Sequence, residues 1–378
     1  MKISGAHTFT LDNGFVKKDV YIKDGFFVAA EDTCNSEVID GSGCYLIPGL
    51  VDVHFHGCAG YDFSDCDIDG LKKIGRYELR NGVTSICPAS MTFPEDKLLS
   101  ICQKALKYSK DEDSTISRLC GINLEGPFIS MEKRGAQNPE YINKPDAEMF
   151  RRLQEASGNL IKLVTIAPEV DGAIEFIDEL SNDVHISVGH TMADYETAEK
   201  AFVQGADHVT HLYNAMPPLQ HRESGVVGAA YDNDNVMVEL ICDGLHISAP
   251  VMRMTFDMFG ADRVVIISDS MMATGMPDGE YALGGQPVTV RGSRATLADD
   301  TLAGSVTNLM DCMKIAVSNG IPLVDAVRCA TYNPARSIGL DDKIGSIDVG
   351  KMADCVLLSR SDLSIKKVIK GGRCIIDL

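Results

Sequence analysis

Between residues 47 and 269, short apolar runs alternate with stretches whose apolar positions recur at helical spacing. The runs fall at 50–56, 83–88, 119–125, 161–167, 184–190, 208–211, 236–242 and 264–269. Among the intervening stretches, 98–109 and 195–203 repeat their apolar residues every three to four positions, the period of a helix with one buried face. Eight strand–helix units are the number expected of a (β/α)8 barrel, so the pattern predicts an α/β fold of that TIM type.

The two ends of the chain break this rhythm. Up to residue 46, Asp12-Asn13-Gly14, Lys23-Asp24-Gly25 and Asp40-Gly41 punctuate short apolar stretches in a strand-and-turn pattern. The pattern returns from 345 to 378, where Gly371-Gly372 divides the last stretches. Residues 1–46 and 345–378 are therefore expected to form one composite β-sandwich domain beside a barrel of residues 47–344. Within 275–300, Tyr281-Ala282-Leu283 and Val288-Thr289-Val290 flank Gly284-Gly285, predicting a β-hairpin inserted after the eighth strand. Loops of that length at a barrel mouth are usually functional or mobile.

Size and composition narrow the classes. The 378 residues, 45% of them hydrophobic, suffice for a large barrel core plus an accessory domain. A formal net charge of −19 argues against nucleic acid and anionic membranes as partners, since both demand a basic surface. It leaves room for a small anionic substrate, because one arginine in a dry pocket outweighs diffuse surface charge at short range. The 12 cysteines are scattered without a C-x-x-C pair, as expected of reduced thiols. The start, MKISGAHTFTLDNG, lacks a signal-like apolar core, and no run approaches the roughly 18–20 apolar residues of a membrane span. A soluble, cytoplasmic protein is expected.

The chemistry gathers at the ends of the runs. In PGLVDVHFHG, alternation predicts Asp52, His54 and His56 on one face and Val51, Val53 and Phe55 on the other. Histidines two apart on a strand lie roughly 6.6 Å apart along the chain, close enough to converge on one ion. Four further runs end in a metal-competent or acid–base side chain: Glu125 in GINLEGPF, His190 in SVGHT, His211 in THLYNAM and Asp269 in IISDS. Parallel barrel strands finish at one rim, where active sites form. Nitrogen and carboxylate donors in this number suit a zinc- or iron-type ion better than calcium or magnesium. His7, His185 and His208 are expected to be structural. His221 and His246 follow strands six and seven, where substrate contact and packing are both open. The methionines of SDSMMATGM are expected to fill space, because a thioether is a poor ligand for a hard ion.

PGLVDVHFHG resembles the entry strand of the amidohydrolase superfamily. Within it NLEGPFIS, SVGHT, THLYNAMPP, HRESG, CDGLH, SDSMMATG and LAGS resemble the N-acetylglucosamine-6-phosphate deacetylases, with further similarity at Asn333-Pro334-Ala335 and 345–354. The resemblance implies Glu125, His190 and His211 as principal metal ligands, and His54 and His56 as the pair holding a second ion in dinuclear members. It implies Asp269 as the catalytic aspartate, and Asn214, Ala215, Arg222 and His246 as substrate contacts. Gln137, in KRGAQNP, stands where some members carry histidine near the acetamide. The implied cofactor is a divalent metal, one ion essential and a second possible. The implied partners are an amino-sugar phosphate substrate and a second copy of the chain, with Arg222 reaching across the dimer interface. Two other readings stay open. A dihydroorotase-like or deaminase-like amidohydrolase commonly uses a carboxylated lysine, whereas none of the eight runs ends in lysine. A non-catalytic assembly protein on this fold would typically lose metal ligands, whereas all six candidates are present.

Overall fold

Each apolar run supplies parallel strand, and helices separate most of the runs, although the 119–125 run is split in two and Val264–Ile267 leads first into the inserted strands of 279–296. The computed structural model describes residues 1–30 and 37–377. Leu50–Asp52 pairs with Val83–Ile86, which pairs in turn with Arg118–Leu119. A six-stranded parallel sheet then runs in chain order through Ile122–Glu125, Ile161–Ile166, His185–Val188, His208–Val209, Met237–Ile241 and Val264–Ile267. Ala89 bridges to Asn123 in the parallel sense. At the other edge, Asp269 N–H donates to His54 O at 2.9 Å and His56 N–H to Ser270 O at 2.7 Å. The strands thus curl until the end of the last meets the end of the first.

Strands covered on both faces need near-continuous apolar runs, and Met237–Ile241 and Val264–Ile267 are buried along their whole length. Helices lie over them with one apolar face inward, as Leu71, Ile74 and Leu79 of Ile68–Arg80 illustrate. Asp67, Asp146, Asp194 and Asn308 cap helix starts by accepting backbone N–H groups at 2.9, 2.9, 2.9 and 3.0 Å, each replacing a partner that the first helical turn lacks. In the Asn333-Pro334-Ala335 motif, Asn333 Nδ2 donates to Ala261 O and Val264 O at 2.6 and 2.7 Å, pinning helix Tyr332–Ser337 to the start of the last parallel strand.

Both chain ends enter one sheet. Its six strands run in the order Arg373–Asp377, Ile365–Lys370, Cys355–Ser359, Cys44–Pro48, His7–Thr10 and Gly14–Lys17. A four-stranded sheet contains Phe26–Val28, Val20–Lys23, Lys2–Ser4 and Val38–Asp40. Ile3, Ile22, Phe27, Leu46, Leu357 and Ile369, drawn from both sheets, pack into one buried cluster. The terminal pattern read from the sequence also included residues 31–36 and 378, which lie outside the described residues.

Three details depart from the sequence pattern. The first parallel strand stops at Asp52, so His54 and His56 lie beyond it. Asp52 does not join them: its carboxylate accepts Ser268 Oγ–H at 2.6 Å and His54 N–H at 3.2 Å, which satisfies it away from the histidine cluster. The insertion is not a simple hairpin but a three-stranded antiparallel sheet of Gly279–Leu283, Gln286–Arg291 and Arg294–Thr296. Its first turn does run through Gly284 and Gly285, at φ 58° and 79°, the backbone that a tight two-residue turn demands of glycine. No helix among the described residues is long and apolar enough to cross a membrane. Eleven cysteines are described and none is disulfide-bonded, while Cys34 lies outside the described residues.

Candidate metal and active site

Six side chains converge where the parallel strands end. Glu125 closes its strand, whereas His54, His56, His190, His211 and Asp269 follow theirs by two to four residues. His190, His211 and Asp269 all sit at positive φ, 47°, 27° and 46°. For residues with a Cβ such conformations cost about 1–3 kcal/mol each and need the surroundings to impose them. Here backbone bonds do so: Ser130 N–H donates to His190 O at 2.8 Å and Ser305 N–H to Asp269 O at 2.7 Å. His211 N–H donates to Glu239 Oε2 at 3.0 Å. The left-handed step turns each side chain off the sheet toward the common centre.

Glu125 is the hub. Its Oε1 lies 3.0 Å from His190 Nε2, 3.1 Å from His211 Nε2 and 3.5 Å from His54 Nε2. Its Oε2 lies 3.3 Å from His56 Nε2 and accepts Gln137 Nε2–H at 3.0 Å. Asp269 Oδ1 is 3.3 Å from His56 Nε2 and 3.8 Å from His54 Nε2. The most exposed of the six, Asp269, shows 7% of its surface. Burial by itself would push the Glu125 carboxyl up, yet the His54 charge and hydrogen bonds from His190 and His211 outweigh it, holding Glu125 well below the usual carboxylate range. Asp269 is likewise held low against burial, chiefly by its hydrogen bond to His56 and the charge on His54. Burial would lower the His54 pKa, but Glu239 and Glu125 drive it well above the ordinary value.

This donor set fits a divalent metal. His190 Nδ1–H donates to Lys133 O at 2.8 Å, which turns Nε2 of the ring toward the cluster. That Nε2 faces His211 Nε2 at 3.1 Å, with Glu125 Oε1 beside both. Converging lone pairs repel unless a cation or proton lies among them. His54 Nε2 is buried with no hydrogen-bond partner. Two overlapping triads, His54–His56–Asp269 and His54–Glu125–His211, keep their ligand atoms within 4.8 Å of one another.

A cavity of about 470 Å³ opens above the cluster, lined by His56, Glu125, His190, His211 and Asp269 and also by Gln137, Asn214, Ala215 and His246. His246 Nδ1–H donates to Asp243 Oδ2 at 2.7 Å, and Asp243 Oδ1 accepts the Leu245 and His246 N–H groups, both at 2.9 Å. Burial opposes the imidazolium, but the bond and charge of Asp243 outweigh it and raise the His246 pKa. Asn214 Nδ2 is spent on its own loop, donating to His211 O and Leu212 O at 3.3 and 3.2 Å. Arg222 is exposed and does not line its own chain's cavity. His185 Nδ1 pairs with Asp207 Oδ2 at 2.6 Å, and His208 Nδ1 lies 3.3 Å from Ser187 Oγ, both away from the cavity.

Three features escaped the sequence patterns. Lys133 and Arg134 line the cavity, and their place in KRGAQNP beside Gln137 was an available signal. Glu239 lies beneath His54, and its signal was a lone carboxylate inside the apolar run 236–242.

The amidohydrolase family pattern matches residues 45–375. The N-acetylglucosamine-6-phosphate deacetylase of Bacillus subtilis (strain 168) is 38% identical over 331 residues, covering 86% of this chain and 84% of that protein. The N-acetylgalactosamine-6-phosphate deacetylase of Escherichia coli O157:H7 is 34% identical over 357 residues, 93% of each chain. Among solved structures, a mutant N-acetyl-D-glucosamine-6-phosphate deacetylase from Mycobacterium smegmatis, in complex with N-acetyl-D-glucosamine-6-phosphate, matches with a TM-score of 0.92 at 31% identity. The match covers 100% of this chain and 99% of that one.

Proposed function

Because this chain belongs to the amidohydrolase family, we propose that it hydrolyses N-acetyl-D-glucosamine 6-phosphate to D-glucosamine 6-phosphate and acetate. The observation that carries this reading is the buried meeting of Glu125 with His190 and His211 beneath an open cavity. Glu125, His190 and His211 would hold one divalent ion, and His54 and His56 a second, with zinc or iron suiting these donors. When bound, such an ion supplies Lewis acidity, which brings the pKa of water down from about 15.7 to around 7 and polarises a carbonyl.

The remaining chemistry belongs to the chain. An amide resists water until a nucleophile is deprotonated, the carbonyl oxygen is stabilised and the departing nitrogen receives a proton. Asp269, kept ionised by His56 and His54, takes the proton of the attacking water on its carboxylate. It returns that proton to the nitrogen as the C–N bond breaks. Low exposure of all six side chains strengthens each of these interactions, since little water screens them. His246, oriented by Asp243, and the Asn214–Ala215 loop grip the sugar phosphate, and Gln137 borders the acetamide.

The same reading extends to architecture and assembly. The bond pairs that join Asp269 to His54 and His56 to Ser270 support a closed (β/α)8 barrel of residues 47–344. The shared six-stranded sheet supports a composite β-sandwich domain of 1–46 and 345–378. The protein acts in the cytoplasm in amino-sugar catabolism or recycling. It works as a homodimer in which exposed Arg222 serves the neighbour's phosphate site. The likeness to an N-acetylgalactosamine-6-phosphate deacetylase over 93% of this chain gives the C4 epimer a claim as a second substrate. Acetate release from N-acetylglucosamine 6-phosphate, N-acetylglucosamine and N-acetylgalactosamine 6-phosphate, with ring opening of dihydroorotate followed separately, tests the reading. Fast release from the first substrate is expected, and turnover of dihydroorotate alone would overturn it.

A further inference from the structure

Glu239 sits in the middle of strand Met237–Ile241 with none of its surface exposed. A carboxylate in such a place is costly unless directed hydrogen bonds hold it. Both of its bonds fall on one oxygen: Oε2 accepts His54 Nδ1–H at 2.8 Å and the His211 backbone N–H at 3.0 Å. The other oxygen, Oε1, has no hydrogen bond and lies 3.7 Å from His208 Nδ1. An ionised carboxylate can only accept, so the proton shared with His54 belongs on Nδ1. The ring then presents Nε2 to the space between Glu125 and Asp269, 3.5 and 3.8 Å away, where it has no other partner. His211 carries the tightest of the positive φ values, 27°, and the same oxygen anchors its backbone.

We propose that Glu239 is a positioning residue that fixes the His54 tautomer and ties His54 to the His211 loop, so that the two overlapping ligand triads are aligned by one buried oxygen. The proposal rests on the metal-centre reading above. A carboxylate behind a ligating imidazole orients the ring and raises its basicity, and its loss typically weakens metal binding about 10–100-fold. Glu239 would do this for one ligand through its ring and for a second through its backbone.

The test compares wild type, Glu239→Leu and Glu239→Gln by zinc affinity in chelator competition, zinc stoichiometry and melting of the metal-free proteins. Glu239→Leu is expected to bind zinc about 10–100-fold more weakly. Glu239→Gln, whose carbonyl oxygen can still accept both N–H groups, should stay within a few-fold of wild type. Equal zinc affinity and stoichiometry in wild type and Glu239→Leu would overturn the proposal, even if melting temperatures fell in both variants. Wild type that binds no zinc would instead remove the metal-centre reading. If Glu239→Leu does not fold, ¹⁵N-histidine spectra of zinc-loaded wild type decide. A protonated His54 Nδ1 supports the proposal, and a bare Nδ1 overturns it.

Discussion

Gln137 clamps Glu125 from behind: its Nε2–H donates to Glu125 Oε2 at 3.0 Å while its Oε1 accepts the Thr92 N–H at 2.6 Å. Gln137 shows only 2% of its surface, so both ends of its amide are committed before any substrate arrives. Replacing it by alanine leaves the buried Thr92 N–H unpaired, at a cost of about 1–3 kcal/mol, and frees Glu125 to rotate. Gln137→Ala is expected to melt at lower temperature and to bind metal more weakly. Unchanged metal affinity would show that the bond from Gln137 to Glu125 does not support the metal centre.

Chelation should abolish acetate release, and restored zinc or iron should return it. Glu125→Ala should lose metal and activity together, because its carboxylate touches His54, His56, His190 and His211 at once. Elemental analysis after saturation should exceed one ion per chain in wild type and fall in His54→Asn. A ratio that never exceeds one, with His54→Asn fully active, would rule out a functional second ion. Full activity in chelated, metal-free protein would refute metal dependence altogether.

Asp269→Asn keeps the shape but cannot accept a proton. Folding should be retained while kcat drops by about 10²–10⁴, the usual contribution of general acid–base catalysis. A variant within twofold of wild type would place the proton transfer on another group.

Arg222 is exposed beside exposed His221 and Glu223, and its planar fork suits phosphate oxygens. If it serves the neighbouring chain, Arg222→Ala should raise KM for the 6-phosphate substrate and spare turnover of the unphosphorylated sugar. Mixing Arg222→Ala with Asp269→Asn chains should restore activity, since one site per mixed dimer carries both intact residues. A fully active monomer would eliminate this arrangement.

Glu78 provides a pH test away from the catalytic cluster. Burial, reinforced by the charge of Asp52, pushes its carboxyl from 4.5 up to about 8. Between those values the folded protein keeps a proton that the unfolded chain gives up, so stability falls as pH rises through that window. Glu78→Gln removes the share of that slope that Glu78 contributes, while buried Asp52 and Asp62, raised to about 7 and about 6, keep theirs. The variant's advantage over wild type should be absent below about pH 4 and grow by on the order of 4 kcal/mol by pH 8. Parallel stability curves for the two proteins would show that Glu78 does not titrate in this range.

The alternation of parallel strands and helices was legible in the chain because apolar period is a local property, set by which faces of a strand or helix must be covered. Residues at strand ends were legible for a related reason: parallel strands share one rim, so Glu125, His190, His211 and Asp269 were bound to approach one another. What lies behind those residues was not. His54 and Glu239 stand 185 positions apart, Gln137 and Glu125 meet through a loop of no regular period, and Asp52 turned to Ser268 although strict alternation placed it with the histidines. The third strand of the 279–296 sheet was equally hidden. Such choices depend on which buried polar groups find partners once the chain has closed on itself. Sequence pattern registers that a carboxylate is buried, but the identity of its partner is set by the packing of distant strands.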